Sequence, residues 1–159
     1  MPKDPVAQLL AIEAIKSLKY RYLRAVDCHD WALLRTTLSD DCSARYDGGK
    51  YSYDGADVLI EGLRGHMDSP SVLTMHNCHH PEITLLDDGH AEGKWYLQDL
   101  VFNREQNWVL FGTAIYNDKY RLENGEWLLC HTEYDRIMET VNSPIPDTLG
   151  FTHSMFSQQ

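Results

Sequence analysis

The segment Met75-His76-Asn77-Cys78-His79-His80-Pro81 concentrates three histidines. In a strand, His76 and His79 fall on opposite faces, and Pro81 marks a strand boundary, so the cluster does not read as a metal site. An imidazole with a proton affinity near neutral pH is the natural general base, provided that a second group orients its ring. Asp99 is the expected partner. In Lys94-Trp95-Tyr96-Leu97-Gln98-Asp99, residues 95, 97 and 99 share one strand face, and a carboxylate on an otherwise apolar face needs a bonding partner. If Asp99 accepts a hydrogen bond from one ring nitrogen of His76, it raises the basicity of the other.

Other residues are ambiguous alone. Tyr22 lies in the apolar stripe of the first helix, where its O–H needs a partner. Asp27 lies near that helix's C-terminal end, where a carboxylate opposes the dipole; it reads as a turn or cap residue, or as one with a task elsewhere. Arg136 closes the last strand and by itself reads as half of an exposed ion pair. Tyr46 and Tyr116 are equally open.

These side chains must be held by a small set of elements. Ile15, Leu18, Tyr22 and Val26 recur at spacings of three and four, predicting a long helix over 6–26 that covers a sheet. Asp30 reads as the N-cap of a second helix carrying Trp31, Leu33, Leu34 and Leu38 and ending at Ser39-Asp40-Asp41. A strand at 43–46, a turn at Asp47-Gly48-Gly49 and a short strand at 51–53 lead through Asp54-Gly55 into a third helix with Leu59, Leu63 and Met67. Beyond Pro70 the period becomes two, in segments near 71–79, 81–86, 91–103, 108–121 and 126–137, separated by turns such as Asp87-Asp88-Gly89 and Glu123-Asn124-Gly125. Helices first and strands after predict an α+β cone, a curved antiparallel sheet wrapped around the N-terminal helices. The domain is expected over 1–140. A tail over 141–159, with Pro144, Pro146, Phe151, Met155 and Phe156, is expected to pack on it or on a neighbouring subunit.

Composition narrows the partners. With 159 residues, 43% of them hydrophobic, the chain can bury a core as one domain. A formal net charge of −10 with scattered basic residues argues against nucleic acid and against an anionic membrane surface. Met1-Pro2-Lys3-Asp4-Pro5 has no apolar signal core, and a cytoplasmic protein is expected. Cys28, Cys42, Cys78 and Cys130 lack paired spacing and read as buried reduced thiols.

Taken together, Ala14-Ile15-Lys16-Ser17-Leu18-Lys19 leading to Tyr22 and Asp27, Thr36-Thr37-Leu38-Ser39, Met75-His76 with Pro81-Glu82-Ile83-Thr84, Trp95-Tyr96-Leu97 with Asp99, and Tyr116-Asn117-Asp118-Lys119-Tyr120 resemble SnoaL-like proteins of the nuclear transport factor 2 superfamily. Among these the likeness to bacterial bile-acid 7α-dehydratases is greatest. The resemblance implies a nuclear transport factor 2-like, or cystatin-like, cone with a pocket of Tyr22, Asp27, Tyr46, His76, Asp99 and Arg136. It implies a hydro-lyase that eliminates water from a small apolar hydroxylated carbonyl compound such as a steroid, polyketide or aromatic-degradation intermediate. Tyr22, Asp27, His76 and Asp99 are then catalytic, and Tyr46, Tyr116 and Arg136 bind substrate. No cofactor or metal is implied, and relatives form homodimers or homotrimers. A ligand-binding or interaction module of the same fold, and an isomerase, cyclase or dehydrohalogenase using the same pocket, are the alternatives. Asn77, Cys78 and the stretch from Leu100 to Thr113 depart from the family's pattern.

Overall fold

The computed structural model describes residues 4–87 and 89–156. Met1-Pro2-Lys3, Asp88 of the expected turn and the last three residues of the tail lie outside the described residues. The elements are α1 (Pro5–Asp27), α2 (Trp31–Arg35), β1 (Leu38–Tyr46), β2 (Tyr51–Asp54), α3 (Ala56–Met67), β3 (Val72–Leu85), β4 (His90–Asn103), β5 (Trp108–Glu123) and β6 (Glu126–Asn142). No helix among the described residues is long and apolar enough to cross a membrane.

The six strands form one sheet in the order β2-β1-β6-β5-β4-β3. The fold class is the expected α+β, but the sheet is mixed rather than antiparallel, because β1 runs parallel to β6. The physical reason is the route of the chain: β6 reaches β1 only after α3 and three further strands, and no hairpin joins the two. Register shifts in β1, in β3 between His79 and Glu82, and twice between β5 and β6 insert unpaired residues that bend the sheet.

Several boundaries differ from expectation. The second helix stops at Arg35 because the hydroxyls of Thr36 and Thr37 donate to the carbonyls of Leu33 and Leu34, at 2.7 and 2.6 Å. The chain is thus released into β1 at Leu38, which is buried in the core and not part of the helix. The segments at 71–79 and 81–86 are one strand; β3 is an edge strand, so Pro81 costs it no ladder bond and is absorbed at the bulge. β6 continues to Asn142, which pairs with Val109. The tail then returns to the domain, with Phe151 edge-on to Phe102 at 4.6 Å and Phe156 stacked on His29 at 4.3 Å. All four cysteines are free, but only Cys42 is buried; Cys28 is exposed, and Cys78 and Cys130 are half-buried.

The stripe predicted on α1 is buried, Ile15, Leu18, Tyr22 and Val26 being 4% exposed or less, and it packs against β3 and β6. Lys19 is buried too. Its Nζ lies 2.8 Å from Asp118 Oδ2 on β5 and 3.5 Å from the centroid of the Tyr116 ring. The same carboxylate accepts the Tyr120 O–H at 2.7 Å, and the Tyr120 oxygen accepts the Trp95 indole N–H at 2.9 Å. A polar chain therefore fixes the rotation of α1 against the sheet inside the apolar core. Removing one member of such a pair strands the other charge away from water. Lys19→Met is expected to lower unfolding free energy in urea by about 3–5 kcal/mol, and Lys19→Met with Asp118→Asn to recover much of that loss. An equal loss in both variants contradicts the pairing.

Candidate active site

α1 ends at Asp27, and its dipole makes that position unfavourable for a carboxylate. Three donors from β3 offset the cost. The Thr74 hydroxyl donates to Oδ1 at 2.7 Å, the His76 backbone N–H donates to Oδ2 at 3.0 Å, and His76 Nδ1 lies 2.6 Å from Oδ1. Half-burial pushes the Asp27 carboxyl up, and the bonds from His76 and Thr74 outweigh it, so the acid titrates below the usual 3.8. The contact with an ionised carboxylate fixes the proton of a neutral His76 ring on Nδ1. With Nδ1 so engaged, Nε2 is the ring nitrogen left to accept a proton.

This corrects the expected dyad. His76 and Asp99 are direct cross-strand neighbours and line the same chamber. Both oxygens of Asp99 are nevertheless taken by the guanidinium of Arg136, Nη1 at 2.6 Å and Nη2 at 2.9 Å. A bidentate, nearly buried arginine pair is a stronger claim on a carboxylate than a neutral imidazole makes. Gly112, the cross-strand partner of Asp99, makes the pair possible: a Cβ there would overlap Arg136 Nη1 and approach Asp99 Oδ1 to 2.7 Å. Arg136, expected to bind substrate, is accordingly not among the residues lining the chamber; it neutralises Asp99 and lies over the Tyr134 ring at 5.0 Å.

The inner chamber has a volume of about 60 Å³ and is bounded by Tyr22, Tyr46, His76, Asp99, Tyr116 and Tyr134, with Leu63, Met67 and Leu97 among its apolar walls. The hydroxyls of Tyr22 and Tyr46 share one hydrogen bond at 2.5 Å. Two O–H groups sharing a single bond leave one proton to donate elsewhere. Burial drives the phenols of Tyr22, Tyr46 and Tyr116 well above their usual 10, so they remain neutral donors at physiological pH. On the far side of the dyad, an open groove passes Tyr20, Arg24, Cys28 and Cys78, without either of the paired phenols.

Of the predicted residues, Tyr22, Tyr46, His76, Asp99 and Tyr116 meet at this chamber, Asp27 holds His76 from one side and Arg136 holds Asp99 from the other. Sequence reasoning missed Thr74 and Tyr134. The alternation that puts Thr74 and His76 on one face was the available signal for the first. Tyr134, stacked on Tyr46 at 5.3 Å and edge-on to Tyr116 at 5.4 Å, carried none. Among the described residues no group of three or more histidine, cysteine or acidic side chains is placed to hold a metal.

The chain belongs to the SnoaL-like domain family, whose model matches residues 7–133. Solved structures share its fold at low identity. A hexachlorocyclohexane dehydrochlorinase, LinA type 3 from Novosphingobium barchaimii, superimposes with a TM-score of 0.78 at 18% identity, over 89% of this chain and 97% of that one. A candidate scytalone dehydratase from Novosphingobium aromaticivorans gives 0.76 at 18% identity, over 84% and 88%. ActVI-ORFA from Streptomyces coelicolor gives 0.68 at 17% identity, over 80% and 97%.

A carboxyl whose folded value is depressed adds stability above its ordinary value and loses it as pH falls through the folded one. The stability gap between wild type and Asp27→Asn is therefore expected to be full at neutral pH and to close as pH drops below 3.8. Thermal unfolding of both proteins across that range checks it; a gap that widens on acidification contradicts the assignment.

Proposed function

We propose that this chain is a cofactor-independent hydro-lyase acting on a small, apolar β-hydroxy carbonyl compound, with His76 as the base and Asp27 as the group that orients it. The observation that carries the reading is the fixed tautomer: Asp27 occupies Nδ1, Nε2 is left to accept a proton, and His76 lines one chamber with a phenol pair that has an O–H to spare. In this scheme Nε2 takes the proton α to the carbonyl, and the spare O–H of the Tyr22–Tyr46 pair donates a hydrogen bond to the carbonyl oxygen while keeping its proton. The electrons of the broken C–H bond form the enolate. As the enolate collapses, the β C–O bond breaks, and the imidazolium returns its proton to the departing hydroxide, releasing water. Asp99 carries no proton in this scheme; with Arg136 it sets the field of the chamber.

The names of two fold relatives, a dehydratase and a dehydrochlorinase, fit elimination chemistry with different leaving groups. A halide needs no proton to depart, so the same base would serve it. The steroid, polyketide or aromatic identity of the substrate and a cytoplasmic setting are part of this proposal, supported by the sequence likeness, the apolar chamber and the unpaired thiols.

The test is turnover of a panel of β-hydroxy ketones, a hydroxysteroid ketone and a β-chloro ketone. His76→Ala is expected to lower kcat by about 10²–10⁴, Asp27→Asn by less, and Asp99→Asn least, because Asp99 does not touch the base. Rates equal to wild type in His76→Ala remove the lyase reading. Loss confined to the chloro ketone selects halide as the leaving group.

A further inference from the structure

A second, larger chamber of about 330 Å³ adjoins the inner one, and Tyr46, Leu63, Met67 and Tyr134 line both. The inner chamber, at about 60 Å³, has room for only a few heavy atoms. A space of about 150 Å³ accepts one benzene ring, so the outer chamber has room for roughly two. A substrate that reacts at His76 therefore places its reacting carbons inside and most of its bulk outside.

The outer walls say what that bulk is. Six aromatic side chains surround it: Tyr46, Tyr51, Tyr53, His66, Trp108 and Tyr134. No carboxylate, lysine or arginine is among the lining residues; the polar groups are the amides of Asn103 and Gln106, the tyrosine hydroxyls and the His66 imidazole. Trp108 lines the chamber from the β4–β5 hairpin, directly across from Asn103 in the ladder. Its indole N–H is already spent on Gln106 Oε1 at 2.9 Å, and Gln106 N–H is held by Asn103 Oδ1 at 2.8 Å. The hairpin thus holds the indole in place with its polar edge satisfied, and what remains for a ligand is the ring. Tyr51 is braced edge-on by His66 at 5.3 Å. Held aromatic surfaces in a space without carboxylate, lysine or arginine select flat, neutral rings by stacking and edge contacts, and they penalise charged groups that would lose their water.

We propose that the outer chamber is a subsite for a planar, uncharged ring system attached to the reacting carbonyl unit, with Trp108 as its specificity-determining wall. This rests on reading the inner chamber as the reaction site, and it deepens that reading by assigning the substrate two parts. The departure of the stretch from Leu100 to Thr113 from the family's pattern then falls at the wall that sorts substrates.

The experiment uses ketones that have no leaving group and cannot react: 1-tetralone, which carries a fused aromatic ring, and cyclohexanone, which does not. Calorimetric titration of the full chain is expected to give 1-tetralone an affinity at least about tenfold higher. In Trp108→Ala that ratio falls towards one, and in Trp108→Phe, which keeps an aromatic wall, most of it is retained. A ratio near one in the wild type, or one that Trp108→Ala leaves unchanged, overturns the subsite. The proposal and the lyase reading fail separately. A preserved ratio with no turnover of any hydroxy ketone removes the lyase and leaves the subsite; turnover of single-ring substrates with a ratio of one removes the subsite alone.

Discussion

The guanidinium of Arg136 determines which of two carboxylates serves His76. Asp27 bonds the imidazole from the end of α1, and Asp99 lies directly across the ladder from His76 on the neighbouring strand. A bidentate pair with Arg136 satisfies both oxygens of Asp99, in a space that only Gly112 leaves open. With that acid neutralised, Asp27 alone sets the tautomer of His76 and frees Nε2 for chemistry. Without the arginine, two carboxylates would compete for one ring, and burying an unpaired Asp99 would be costly.

The rest of the fold serves this division. Asp27 comes within reach of β3 only if α1 has one rotation and one depth in the sheet, and the buried Lys19–Asp118 pair, continued through Tyr120 and Trp95, supplies a polar constraint that apolar packing alone would not. The bulges that bend the sheet turn its concave side into chambers. Sharing walls between the inner and outer chambers places a small, proton-donating space beneath a wide aromatic one.

Much of the architecture was legible because it is written in local periodicity. The α1 stripe, the Asp30 cap whose side chain accepts the Leu33 N–H at 2.9 Å, and the shared face of Trp95, Leu97 and Asp99 follow from spacings of three to four or of two. What sequence spacing does not carry is pairing at long range. The parallel contact of β1 with β6, the reach of Asp27 to a strand 49 residues away and that of Arg136 to Asp99 across 37 are set by topology. The partner of His76 was misassigned, because strand alternation reports which face a side chain occupies and not which of its neighbours binds it more strongly. Lys19 went unnoticed for a related reason: a lysine on a helix reads as solvated, and only the sheet behind it shows that its charge is matched.

The central claim, that Asp27 and not Asp99 fixes the ring of His76, is most directly tested by nitrogen-15 NMR of the histidine side chains at about pH 8, where an unperturbed imidazole is neutral. The structure predicts His76 protonated on Nδ1 with an unprotonated Nε2, a pattern lost in Asp27→Asn and kept in Asp99→Asn. A neutral ring protonated on Nε2, or a tautomer that responds to Asp99→Asn and ignores Asp27→Asn, would contradict it.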